Sequence, residues 1–332
     1  MKDYLEKNGH KVVYNLEDDD IDIILLTEPR KTSESSMFTH IDVLKYIQFV
    51  KNDAVVVHRI NECDERKNTN FVNQYLIEAN KSADATVFVS NWLRNLFIKQ
   101  GLECENISVI MSGANSKVFY SSDQNKNIDY KKLNIVTHHW GGNWNKGFDI
   151  YKKLDELLDI KDYIDKFTFT YIGNMPSKFK FKNTNVIKPL SGKELADEIR
   201  KNDIYITGSL NEPSGNHHIE AAQCGLPLLY IDSGGIPEYC KGFGVMFNEF
   251  NFENKLNEIY DNYLKYKDDI LSYPYNSDLM SGEYLKLFNK LVNQKNEFIK
   301  IRKQQNLISN FEKYFYIISR RLKKYIKDKR NI

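Results

Sequence analysis

The stretch Asp203–Glu238, DIYITGSLNEPSGNHHIEAAQCGLPLLYIDSGGIPE, decides the fold. IYIT and PLLYI have the β-branched and aromatic make-up of strands buried on both faces. Between them Ser214-Gly215-Asn216 offers N-cap chemistry for a helix through His218, Ile219, Ala222 and Gln223, and Gly225 followed by Pro227 closes it. Strand, helix and strand in succession predict an α/β unit with a parallel sheet. A helix that begins directly after such a strand points its free N–H groups and its positive dipole end above the sheet edge, a place for a phosphate. Ser233-Gly234-Gly235, ahead of Ile236-Pro237-Glu238, is expected to form a second such place.

Two carboxylates sit in this stretch, Glu212 in the loop and Glu220 on the helix, with seven residues between them. Carboxylates accept hydrogen bonds and grip the paired hydroxyls of sugars and riboses, at roughly 1.5–3 kcal/mol per charge-assisted bond. A phosphate on the helix end with a hydroxyl-rich group on either side describes a nucleotide-sugar. The E-x7-E spacing, the small residues Ala221, Ala222, Gly225 and Pro227, and the following GG-x-PE together resemble the signature of family 4 retaining glycosyltransferases. The resemblance implies the GT-B architecture: two Rossmann-like domains facing each other across a cleft.

Composition is consistent with this. A length of 332 residues suggests about two domains, and 41% hydrophobic with 28% charged residues is the balance of an ordinary globular chain. No run reaches the ~18 apolar residues of a membrane span, and the start carries no signal-peptide pattern. Cys63, Cys104, Cys224 and Cys240 lack C-x-x-C spacing and read as reduced thiols of a cytoplasmic protein.

Residues 1–120 are expected to form the first, acceptor-side domain. MKDYLEKNGHKVVYNL resembles the end of the family's first helix and its second strand, turning at Gly9-His10; the strand and Gly-rich loop that precede that helix in the family are missing, so this domain is expected to be shortened. Asp20-Ile21-Asp22 precedes its apolar run and reads as a solvated turn with no metal role. In AVVVHRINECDER the apolar run from Ala54 to Val57 leaves His58 and Arg59 at the strand's carboxyl end, where open α/β sheets bind ligands. The resemblance places His58 in the site; satisfaction by neighbouring backbone is the alternative. Ser90 is expected to cap a helix with Leu93, Leu96 and Phe97 inward, and ISVIMSGANSKVFY resembles the segment that closes the first domain. Residues 121–132 are polar, without apolar periodicity, and read as a linker.

Residues 133–300 are expected to form the nucleotide-sugar domain, near whose end the amphipathic GEYLKLFNKLV resembles the terminal helix that in the family leans back on the first domain. The loop Gly141, Gly142, Lys146, Gly147 precedes a helix carrying Ile150, Leu154, Leu157 and Leu158 on one face. In the family this loop carries an arginine and a lysine for the donor pyrophosphate. Lys146 matches the lysine; no arginine stands upstream, and His138 or His139 takes that region. The resemblance makes Glu212, Lys146 and His58 the catalytic residues. It makes Glu220, Ser214, Gly215, Asn216, His217, Gly142, His139, Gly173, Pro189 and Leu190 the donor-binding ones. It implies a UDP- or GDP-sugar donor, a glycan or lipid-linked glycan acceptor, retention of anomeric configuration, and no metal or other cofactor.

The segment 301–332 differs from the rest. From residue 306 it carries eight Lys or Arg against Glu312 and Asp328, while the remaining chain is mildly acidic. Leu307, Phe311, Phe315, Ile318, Leu322 and Tyr325 follow helical spacing. A basic amphipathic helix over 306–330 suits an anionic membrane at the inner surface; a partner or self-association helix is the alternative. Nucleic acid is not expected as a partner. Two rivals to a retaining hexosyltransferase stay open: a non-catalytic nucleotide-sugar-binding protein and a GT-B-type epimerase.

Overall fold

The structure is a computed structural model that describes residues 1–122, 131–303, 316–320 and 322. The expected linker and the expected tail helix therefore fall largely outside the described residues. Two parallel sheets organise the chain. The first has the order β1 (Ile23–Leu26), β2 (Val55–Ile60), β3 (Ala85–Phe88), β4 (Ile107–Val109). Around it lie α1 (Lys2–Lys7), α2 (His40–Phe49), α3 (Asp64–Lys67), α4 (Val72–Asn80) and α5 (Asn91–Lys99). Local chemistry sets these helix starts. Thr39 and Asp42 form a reciprocal capping box on α2, and Ser90 Oγ accepts from the Leu93 amide at 3.2 Å on α5, as its sequence predicts.

The second sheet contains β5 (Leu133–His139), β6 (Phe167–Gly173), β7 (Asn185–Ile187), β8 (Ile204–Thr207), β9 (Leu228–Ile231) and β10 (Gly244–Phe247). Their spatial order is β10-β9-β8-β5-β6-β7, every pair parallel. β8 and β9 are buried throughout, as two-faced strands of a covered sheet must be. The helices here are α6 (Phe148–Leu157), α7 (Lys161–Ile164), α8 (Gly192–Ile199), α9 (Asn216–Gln223), α10 (Ile236–Cys240), α11 (Phe252–Asp261) and α12 (Tyr263–Asp269).

The chain then returns to the first sheet. Tyr284, Phe288 and Leu291 of α13 (Ser277–Asn293) and Phe298 of α14 (Lys295–Lys303) bury against Val55, Val57, Ala85, Val87 and Ile110. Residues 277–303 thus pack on the first half, as the resemblance of GEYLKLFNKLV implies, although the span 133–300 counts most of them with the second. The return crosses the outgoing chain closely: the Ser277 amide donates to Ala114 O at 2.8 Å, and a Cβ on Gly113 would overlap the Asn276 carbonyl.

The strand expected within residues 10–16 is not formed. Lys11–Leu16 is irregular, and among the described residues the outer edge of β1 pairs with no strand. A strand without a partner leaves its backbone groups to water, so KVVYNL gains nothing from extending. A groove of about 790 Å³ runs along that edge, between residues 10–16 and Leu285, Phe288 and Val292 of α13.

Candidate active site

The carboxyl ends of β5, β6 and β8 open toward one loop cluster, and the polar residues of the second half gather there. Lys146 closes a single 3-10 turn, Trp144–Lys146, with Gly147 at φ +101° leading into α6. Its Nζ donates to Glu212 Oε2 at 2.7 Å, and both residues are buried. Arg66 from α3, in the first half, brings Nε to within 2.8 Å of the other oxygen, Oε1. That N–H is buried and lacks a well-directed acceptor, so the contact is one of charge rather than a formed hydrogen bond. Burial pushes the Glu212 carboxyl up, but Lys146 and Arg66 outweigh it and hold the group below the usual glutamate range.

Glu220, on α9, faces His138 instead. Its Oε2 lies 2.9 Å from His138 Nε2, and His138 Nδ1 lies 3.2 Å from the Tyr205 hydroxyl. A ring that donates from Nε2 and accepts at Nδ1 satisfies both partners. The Glu220 side chain keeps 22% of its exposure, so its second oxygen is free to meet a ligand.

Several expected site residues serve other ends. His139 is buried, its Nε2 2.7 Å from the Tyr151 hydroxyl, and burial holds its pKa well below 6.5. A neutral ring in this setting bonds a phosphate only through the N–H of the right tautomer, not as a cation. His217 is likewise buried and held neutral, with Nε2 2.8 Å from Thr207 Oγ1; its ring stacks edge-on with His139 at 4.6 Å. His58 is fully buried beneath the strand end. Its Nδ1 lies 2.9 Å from Asn80 Oδ1, and desolvation lowers its pKa to about 4. Asn80 thus satisfies one ring nitrogen, while the other, Nε2, is buried without a hydrogen-bond partner. The ring presents no exposed surface to a ligand.

The start of α9 also differs in detail. Gly215, at φ +73°, is the residue before the first turn, Ser214 is buried beside it, and Asn216 is exposed. No side chain caps the helix, so its first amides face the loop cluster uncapped. Gly142 and Gly173 allow close chain approach: a Cβ would stand 2.7 Å from Met175 O at the first and overlap His139 O at the second. Pro189 and Leu190 lie half-buried between β7 and α8. Lys51 spans Asp20 and Asp22 at 2.7 and 2.8 Å, so that turn is an ion-paired surface feature.

The second anion place expected at Ser233-Gly234-Gly235 is taken by the protein itself. The Gly235 amide donates to Glu212 O at 2.8 Å, and Ser233 Oγ accepts from the Asn211 amide at 2.9 Å. Glu238 receives the Asn91 and Trp92 amides at the start of α5, at 2.8 and 2.6 Å. The GG-x-PE segment therefore braces the Glu212 loop and ties it to the first half. Among the described residues no three His, Cys, Asp or Glu gather as a metal site, and no helix is long and apolar enough to cross a membrane.

Arg66 is the residue that sequence reasoning missed. It sits at the carboxyl edge of the first sheet, beside a pocket of about 370 Å³ lined by Thr27, Glu28, Arg30, Arg59, Asn61 and Glu62. Its own NH1 donates to Glu62 at 2.6 Å.

Residues 175–268, which include both glutamates, match the family described as Glycosyl transferases group 1. The phosphatidylinositol N-acetylglucosaminyltransferase GPI3 subunit of Saccharomyces cerevisiae is 26% identical over 182 residues, covering 51% of this chain. The chain spans about 40% of the length of that curated relative. Sucrose-phosphate synthase from Thermosynechococcus elongatus superposes with a TM-score of 0.59 at 12% identity, over 82% of this chain and 74% of that one. HepE from Anabaena, solved in complex with UDP and glucose, gives 0.58 at 13% identity, over 81% and 78%. The chain has the GT-B fold of these glycosyltransferases, and its residues 175–268 are similar to the glycosyl transferases group 1 family.

Proposed function

We propose that the protein transfers a hexosyl group from a nucleoside-diphosphate-sugar to a hydroxyl of a glycan or lipid-linked acceptor, with retention and without a metal. The observation that carries this reading is the meeting of Lys146, Arg66, Glu212 and the uncapped first turn of α9 at the carboxyl edge of a parallel sheet. Ligands of open α/β sheets bind at that edge. Cations and oriented amides aimed where negative charge develops stabilise a leaving diphosphate, which makes a divalent ion unnecessary. Glu220 holds the ribose hydroxyls through its water-facing oxygen, and Glu212 faces the sugar hydroxyls. UDP-sugars are the first donors to try, because HepE was solved with UDP and the yeast relative is named for N-acetylglucosaminyl transfer.

A thermal-shift screen with UDP-, GDP- and ADP-sugars tests the donor class, since a ligand bound only by the folded form raises the melting temperature. At a donor concentration 100 times Kd the gain is about 2.7 kcal/mol. No shift with any of them refutes the reading. Transfer measured with and without EDTA should agree, and NMR of the product should show the donor's anomeric configuration.

A further inference from the structure

A leaving nucleoside diphosphate carries more than one negative charge, and Lys146 answers one of them. We propose that Arg66, contributed by the first half of the chain, is the second cation of the diphosphate subsite. On this proposal Arg66 and Lys146 exchange Glu212 for the phosphates of a nucleoside-diphosphate donor. It rests on the donor reading above and goes beyond it by naming a residue from outside the donor half.

Three observations support it. Arg66 and Lys146 contact opposite oxygens of one carboxylate, so the two cations already stand at the separation that a small oxyanion bridges. The Arg66 Nε–H is buried without a directed acceptor, an unsatisfied donor that a phosphate oxygen would complete. The guanidinium is also held in place. Glu62 accepts its NH1 at 2.6 Å and pairs with Lys67 at 2.7 Å. Asp64 fixes the α3 turn by accepting the Phe71, Val72 and Asn73 amides at 3.1, 2.9 and 2.9 Å. Asn211, the neighbour of Glu212, reaches back to Glu65 O at 3.4 Å, so α3 rests on the very loop it serves. A fork set in advance loses little freedom when an anion arrives. Without donor, Glu212 neutralises one of the two cations; with donor, Glu212 is released toward the sugar hydroxyls.

Calorimetric titration of the full chain with UDP and with uridine separates the phosphate contacts from the nucleoside contacts. Arg66→Gln should weaken UDP binding about 10- to 100-fold and leave uridine unchanged, as loss of a charge-assisted bond implies. Glu220→Ala should weaken both probes. If Arg66→Gln binds UDP as the parent does while Lys146→Ala loses it, the proposal falls and the donor reading stands. Equal losses for UDP and uridine in Arg66→Gln would mark a structural role and also overturn it. A parent that binds none of UDP, GDP or ADP sinks both. Should Arg66→Gln fail to fold, the pair Arg66→Gln/Glu212→Gln removes the stranded carboxylate, and comparison with Glu212→Gln alone gives the same decision.

Discussion

Glu212 is nearly sheathed by protein, with a cation on each oxygen. Removing one member of a buried ion cluster strands the others, at about 3–5 kcal/mol where burial is complete. Arg66 keeps some contact with water, so Glu212→Ala should cost nearer 2 kcal/mol in urea unfolding of the ligand-free protein. Adding Lys146→Ala should recover part of that loss, because the stranded ammonium is gone. Losses that simply add would show that the two residues are not coupled. At this scale the positions of Glu212, Glu220 and Lys146 were legible, but their partners were not: Lys146 pairs with Glu212, while Glu220 turns to His138. Arg66 was not legible, because its partner lies 146 positions further along the chain and no local pattern links them. Its one signal is position, since the charged run Glu62–Lys67 follows directly on a strand's carboxyl end. The burial of His58 and His139 was not legible, because polar type alone does not report depth.

Among the elements, α13 is the most consequential for stability. Its amphipathic spacing was plain, and a resemblance suggested that it leans on the first half; the number of side chains it gives to that sheet was not readable. Phe288→Ala removes a large buried ring from a cluster shared with Val55, Val57, Ala85 and Val87. It should cost about 3–5 kcal/mol, seen as a lower denaturant midpoint with an unchanged m-value. Gly113→Ala tests the chain crossing. Its Cβ has no room beside Asn276, so the backbone must shift at about 1–3 kcal/mol, against less than 1 kcal/mol for an ordinary exposed loop glycine with φ below zero. The segment 10–16 shows the limit of composition. Its residues suit a strand, yet strand formation depends on a partner, which composition does not report.

For the molecule as a whole, the buried histidines set the acid limit of stability. Desolvation lowers His58 to about 4 and His218 to about 3, and it holds His139 and His217 well below 6.5. The unfolded chain takes up a proton at each near 6.5, while the folded one stays neutral. Stability is therefore complete above that value and falls as pH drops toward 4. His58 and His218 should each cost about 1.4 kcal/mol by pH 5.5, and His139 and His217 act in the same direction. Urea midpoints at pH 7.5 and 5.5 measure the sum; a flat profile would mean that the rings are hydrated. Where the basic end is described, Arg320 reaches Leu16 O, Glu17 O, Asp18 O and Asp19 and Tyr316 lies against Phe49, while Ile318 and Leu322 are exposed. Liposome flotation of the full chain against one lacking residues 306–332 tests a membrane role for the remainder, and equal flotation would exclude it.

Among the described residues two passages of chain that connect the halves touch where Ala114 meets Ser277. The halves are also held by Tyr239, whose buried hydroxyl donates to Val89 O and accepts from the Ser112 amide at 2.9 Å. A swing that opens the mouth must part Arg66 from Glu212 and Glu238 from the head of α5 together. Opening and withdrawal of the first-half cation from Glu212 are then a single movement.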